Sequence, residues 1–135
     1  MKTNRLVIAS LAIFLASALS AQQTAMLPSQ AQRKFMRKKL EYSQKVFEGI
    51  VLERYAQVAK NAVQLSRVVD TNAFLFSGDK FYLESAAQFR LDVADLYQDA
   101  LATNGVDVLS AYNKVTADCV ACHQQMRRSS FPHRN

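Results

Sequence analysis

Two cysteines and a histidine lie within five residues near the end of the chain, in the segment Cys119-Val120-Ala121-Cys122-His123. Thiols at this spacing can add across the two vinyl groups of haem to form thioethers, and the imidazole that follows can bind the iron. Residues three apart on a helix share one face, so both thiols can reach the same ring. The spacing therefore predicts covalent attachment of one haem c, with Cys119 and Cys122 as the thioether residues and His123 as the proximal iron ligand.

Other uses of the two cysteines fit less well. A disulfide between residues three apart on a helix closes a small strained ring and stabilises little. A thioredoxin-like redox pair belongs to a strand-to-helix junction, and the chain has no alternating strand and helix pattern. A structural zinc site needs four suitably spaced ligands, whereas the chain has two cysteines and two histidines altogether. A structural bundle with an incidental motif is the remaining alternative.

The composition indicates a helical protein. The chain has 135 residues, of which 50% are hydrophobic and 21% charged, so it suits one small globular domain. It contains three glycines and two prolines, too few for the frequent turns of an all-β fold. We therefore expect an all-α fold.

Four segments have apolar residues at helical spacing, at about 33–50, 52–69, 79–103 and 107–128. Short connections between helices of this length predict an antiparallel four-helix bundle. In the fourth segment the apolar and cysteine positions repeat at intervals of three and four residues, so the CxxCH motif faces the core. These positions are Val108, Tyr112, Val115, Cys119, Cys122 and Met126.

Apolar spacing predicts the core face of the first helix, and three single residues predict where helices begin or end. The core face of the first helix is expected to run through Met36, Leu40 and Phe47, and Gly49 is expected to help this helix stop. Asp79 and Asp107 are expected to cap the starts of the third and fourth helices.

The N-terminal segment 1–21 has the layout of a secretory signal peptide. Lys2 and Arg5 precede an uncharged apolar run, and small residues follow it at a plausible cleavage site. We therefore expect an exported, periplasmic protein with a flexible lead-in over 22–32, the helical domain over 33–128 and a tail over 129–135. A membrane anchor that is not cleaved is the alternative for the first segment.

Only 12 residues follow His123, so the motif lies at the end of the last helix. A C-terminal CxxCH, Arg127 four residues after the histidine and the basic first-helix segment RKFMRKKL together resemble the class II c-type cytochromes, the family of cytochrome c′ and its low-spin relatives. The resemblance implies a four-helix bundle that holds haem near the C-terminal end of the fourth helix, with Arg127 near the haem.

The resemblance leaves the sixth iron position open between two residues. Low-spin members of the family place a methionine ligand near the start of the first helix, and five-coordinate members place an apolar residue there. Met36 is the candidate distal ligand, and Leu40 is the candidate apolar cover.

The expected function is that of a monohaem cytochrome, not an enzyme, that carries single electrons between periplasmic partners. The alternative is a five-coordinate haem protein that binds nitric oxide or carbon monoxide.

Basic residues are concentrated at the two ends of the predicted domain. Residues 33–45 hold six basic residues and one acidic residue, Glu41, and the C-terminal segment adds Arg127, Arg128 and Arg134. Both groups are expected at the haem end of the bundle, where they would attract an acidic redox partner. The alternative is a set of solvated charges that offsets the haem propionates. Nucleic acid is not an expected partner of an exported protein, and a homodimer is a further possible assembly.

Overall fold

The computed structural model describes residues 29–76 and 78–130, and this part of the chain is almost entirely helical. It contains the α-helices α1 (Gln30–Val51), α2 (Tyr55–Asn72), α3 (Lys80–Ala102) and α4 (Gly105–Ser130), with a 3-10 helix, Ala73–Phe76, between α2 and α3. The prediction of an all-α four-helix bundle is confirmed. Residues 1–28, which include the expected signal peptide, and residues 131–135 of the expected tail lie outside the described residues. None of the described helices has an apolar stretch long enough to cross a bilayer.

α1 begins at Gln30, before the expected start at residue 33, because a capping box precedes it. The Gln32 backbone N–H donates to Ser29 Oγ at 3.1 Å, and the Ser29 backbone N–H donates to Gln32 Oε1 at 2.8 Å. These two bonds satisfy donors that the first turn of a helix leaves without partners.

Gly49 lies inside α1 and does not end it, so that expectation was wrong. A Cβ at Gly49 would lie 2.9 Å from Val58 Cγ2, so the glycine allows α1 and α2 to approach closely. The chain turns at Glu53, whose φ of 52° is in the left-handed region. The Arg54 N–H then donates to the Gly49 carbonyl at 2.7 Å.

The sequence predicted the N-terminal cap of α3 correctly but not that of α4. Asp79 caps α3 as expected, because its Oδ1 accepts from the Tyr82 backbone N–H at 3.0 Å. Asp107 does not cap α4. That helix begins earlier because Asn104 Oδ1 accepts from the Val106 N–H at 3.2 Å, which leaves Asp107 in the first turn. At the other end, α4 continues through Ser130, past the start of the expected tail.

The core uses the expected face of α4, where Val108 and Val115 are buried, but a different face of α1. Phe35 and Val46 are buried, whereas Leu40 and Phe47 are 58% and 53% exposed. The expected core face of α1 was therefore wrong in part: Met36 packs against the core, but Leu40 and Phe47 lie outside it. The largest fully buried side chains are Leu65, Leu96, Val46, Val58, Val69, Val93, Val108 and Val115.

The interface between α1 and α4 is the loosest of the four between neighbouring helices. The two helices run antiparallel and meet at Tyr112, whose hydroxyl lies 3.2 Å from Ser43 Oγ and whose ring stacks on Phe47 at 6.1 Å between centroids. Beyond Ser43 toward the start of α1, the two helices line a cavity. We call this end of the bundle, where α1 begins and α4 ends, the site end.

Aromatic rings pack at the site end. Phe76, from the 3-10 helix, is buried and stacks on Tyr82 of α3 with 4.0 Å between ring centroids. Phe35 of α1 lies 5.7 Å from the Phe76 ring. These contacts fix the start of α1 and the start of α3 relative to the connection between α2 and α3.

Candidate functional site

The cavity at the site end has a volume of about 270 Å³ and lies mainly between α1, α3 and α4. This is close to the lower end of the range of about 300–1,000 Å³ for small-molecule sites. Most of the cavity wall is apolar, and the apolar side chains come from all four helices. They are Met36, Leu40, Leu65, Ala86, Phe89 and Val115.

The three residues of the CxxCH motif all line this cavity. Cys119 and Cys122 are partly buried free thiols, and His123 follows them on the same wall. Val120, between the cysteines, is 51% exposed. The heptad spacing of α4 therefore brings together the three residues that the sequence predicted to hold haem, on the cavity side of the helix.

Burial and nearby charge set the protonation of the motif. Burial raises the pKa of both thiols, and the Lys39 ammonium opposes that rise. Burial also lowers the pKa of His123, and the positive charges of Lys39 and Arg127 lower it further. A neutral imidazole is the form that binds a metal, so these effects favour the ligating form of His123.

Met36 and Leu40 of α1 line the same cavity as the motif. Met36 is partly buried and packs against the hydrophobic core, whereas Leu40 is mostly exposed to solvent. The antiparallel arrangement thus brings both candidate distal residues to the level of the motif. Met36 is the more enclosed of the two.

Arg127 lies near the motif but is not part of the cavity wall. Its side chain is exposed, and its charge acts on His123 from the following turn of α4. Arg127 is therefore close enough to His123 to act on it through its charge, but it lies outside the cavity lining.

Lys39 is a site residue that sequence reasoning missed. Its charge was assigned to the basic surface, but the side chain turns into the cavity, where Nζ lies 3.8 Å from the centroid of the Phe89 ring. Burial lowers the pKa of Lys39, while the thiols and Asp118 act to raise it. Lys39 follows Met36 by three residues, so helical spacing alone puts both on one face.

Asp118 and Tyr82 are two further polar residues of the cavity wall that the sequence did not reveal. Asp118 Oδ2 and the Tyr82 hydroxyl are buried without hydrogen-bond partners among the described residues. Burial raises the pKa of Asp118 to about 6, and the nearby carboxyl of Asp92 in α3 adds to the rise. Burial raises the pKa of Tyr82 to about 12.

Within residues 29–76 and 78–130, no group of three or more His, Cys, Asp or Glu side chains is arranged to hold a metal ion by itself. Comparison with known proteins gives no family assignment: no family profile matches the chain, and no curated protein or solved structure is significantly similar to it.

Proposed function

We propose that this chain is an exported monohaem c-type cytochrome of the class II type that carries single electrons between periplasmic partners. The observation that carries the proposal is the position of Cys119, Cys122 and His123 on one wall of an apolar cavity, at the loosest helix interface of the bundle.

The donor set of the cavity fits a c-type haem. Two free thiols one helical turn apart would form the thioethers, and a neutral imidazole would bind the iron. The rest of the wall is mainly apolar, as the ring of a haem requires, and the cavity lies at the interface between α1 and α4, which is the loosest of the bundle. When bound, the haem supplies one-electron oxidation and reduction.

The protein residues fix the conditions of that chemistry. α4 holds the two thiols and the imidazole in one rigid helix, so their relative positions do not depend on a loop. Leu65, Phe89 and Val115 are fully or almost fully buried and exclude water from the inner wall. A dry, rigid site limits the reorganisation that accompanies a change of charge, which favours electron transfer.

Met36 is the proposed distal ligand because it is more enclosed than Leu40 and its thioether is a ligand that iron accepts. Leu40 also lines the cavity, and this supports the second candidate function, a five-coordinate haem protein that binds nitric oxide or carbon monoxide. The two functions differ in which of these α1 residues faces the iron.

The partner is proposed to be an acidic redox protein that docks at the site end. Exposed basic residues from the start of α1 and the end of α4 lie together there: Arg33, Lys34, Arg37, Arg127 and Arg128. We call these five residues the basic cluster. Its positive charge would steer an acidic surface toward the cavity.

Visible absorption spectra of the purified protein, produced with haem-attachment machinery, test the proposal. A low-spin spectrum that carbon monoxide does not change supports electron transfer with Met36 as ligand. A high-spin spectrum that shifts with carbon monoxide supports the gas-binding alternative. Protein that folds but contains no haem contradicts both.

A further inference from the structure

Lys39 is the only one of the three lysines at positions 38, 39 and 45 that turns inward. Lys38 Nζ and Lys45 Nζ form ion pairs with Glu41 on the surface of α1, at 2.9 Å and 2.7 Å. Lys39 Nζ instead lies over the Phe89 ring inside the cavity, 3.8 Å from its centroid, and 5.8 Å from the centroid of the Phe35 ring.

The Lys39 ammonium has no hydrogen-bond acceptor and no ion-pair partner among the described residues. Its surroundings are two aromatic rings, two thiols and the carboxyl of Asp118, with which it forms no ion pair. Burying a charge without a partner costs free energy, and the cation–π contact with Phe89 offsets only part of that cost. The cavity therefore presents a positive charge that a bound anion would compensate.

A second donor in the same cavity also lacks an acceptor. The Tyr82 hydroxyl is buried and has no hydrogen-bond partner in the part of the chain that the structure describes. Tyr82 cannot turn away easily, because its ring is stacked on Phe76. An ammonium and a phenol that both lack acceptors in one apolar cavity indicate an occupant that is apolar over most of its surface and carries carboxylate oxygens.

We propose that Lys39 binds a carboxylate group of the molecule that fills the cavity, with the Tyr82 hydroxyl as a second donor to its carboxylate oxygens. The inference rests on the proposed function, in which these carboxylates are the propionates of haem. Lys39 is then a positioning residue: it selects one orientation of an otherwise apolar ring, and its charge is compensated when the ring is bound.

The experiment compares two probes that differ only in their carboxylates, haem and haem dimethyl ester. Both are titrated into the full chain carrying Cys119→Ala and Cys122→Ala, so that binding is reversible and does not depend on thioether formation. The same titrations are made with Lys39→Met and Tyr82→Phe added. Lys38→Met is the matched control, because it removes a neighbouring lysine that points to solvent.

We expect Lys39→Met to weaken haem binding by about tenfold or more and to leave the affinity for the dimethyl ester unchanged. Tyr82→Phe should weaken haem binding by a smaller factor and also spare the ester. Lys39→Arg, which keeps the charge, should retain most of the preference for haem. Lys38→Met should behave like the parent.

Equal affinity of the parent for haem and its dimethyl ester, or an equal loss for both probes in Lys39→Met, would overturn the inference while leaving the proposed function intact. Absence of binding by both probes to a folded parent would count against the proposed function itself. Circular dichroism of each variant establishes folding. If the parent is unfolded, haem is attached covalently to the wild-type protein and to Lys39→Met instead, and the pH dependence of the reduction potential is measured. The ionisation of the haem carboxylate should then occur at higher pH in Lys39→Met, because the ammonium that favours the carboxylate is absent.

Discussion

The carboxyl of Asp118 should make the protein less stable as the pH rises through the weakly acidic range. Burial raises its pKa from an ordinary value of 3.8 to about 6, so the folded protein prefers the protonated form. Between these two values the folded state holds a proton that the unfolded state has lost, and the free energy of unfolding therefore falls with increasing pH. The full loss is reached above pH 6 and persists at neutral pH.

The difference between the two pKa values corresponds to at most about 3 kcal/mol at neutral pH. Because the Asp118 side chain is partly exposed and Lys39 opposes the shift, we expect a net effect of about 1–2 kcal/mol. Asp118→Asn removes the ionisation and keeps the size of the side chain. The variant should therefore exceed the wild type in stability by about 1–2 kcal/mol at pH 8, and the advantage should become small near pH 4.

Urea denaturation at several pH values between 4 and 8 measures this difference. Asp95→Asn is the matched control, because Asp95 also lies on a helix but is exposed; it should not change the slope of stability with pH. Parallel curves for the wild type and Asp118→Asn across this range would refute the reasoning, and so would an advantage of the variant that shrinks as the pH rises.

Three further predictions concern the iron, the helix packing and the docking surface. Met36→Ala should convert the iron to a high-spin, carbon monoxide-binding form with a lower reduction potential, whereas Leu40→Ala should not. Visible spectra and redox titration measure both effects, and an unchanged spectrum of Met36→Ala would contradict ligation by Met36. Gly49→Ala should cost about 1–3 kcal/mol in urea denaturation because its Cβ would meet Val58 Cγ2 at 2.9 Å. In a double-mutant cycle, the same substitution should cost less when Val58 is already replaced by alanine, and an equal cost in both backgrounds would contradict the close approach. Electron transfer to an acidic partner should slow as the salt concentration is raised, and charge reversal at Lys34 should reduce both the rate and its dependence on salt. A rate that responds to neither change would exclude the basic cluster from docking.

Much of the fold followed from local patterns in the sequence. The heptad spacing from Val108 to Met126 correctly predicted which side of α4 faces inward, and Asp79 correctly predicted the start of α3. Both signals depend on a few neighbouring residues, so they can be read without knowing what packs against the helix. The positions of Cys119 and His123 on the cavity wall follow from the same pattern.

The first helix shows what local patterns do not contain. Periodicity correctly grouped Met36, Leu40 and Phe47 on one face, but it could not tell how closely that face approaches α4. Because the α1–α4 interface is loose, Leu40 and Phe47 stay largely exposed, and Phe35 on the adjacent face enters the core instead. The close approach that needs Gly49 likewise depends on Val58 in another helix.

The polar part of the site could not be predicted for a related reason. Charge counting places Lys39 with Lys38 and Lys45, yet only Lys39 turns toward the Phe89 ring of α3. Asp118 precedes the motif directly, but its raised pKa arises from burial and from Asp92 on another helix. These properties belong to contacts between helices and become visible only when the helices are packed.

The central claim is that the cysteines of α4 carry one covalently bound haem, and mass spectrometry of the denatured, exported protein tests it most directly. The wild-type protein should have the mass of its polypeptide plus one haem. Cys119→Ala/Cys122→Ala should have the mass of the polypeptide alone, because no thiol is left to form a thioether. Wild-type protein that is exported and folded in cells with active haem attachment, yet has the mass of the bare polypeptide, would contradict the account.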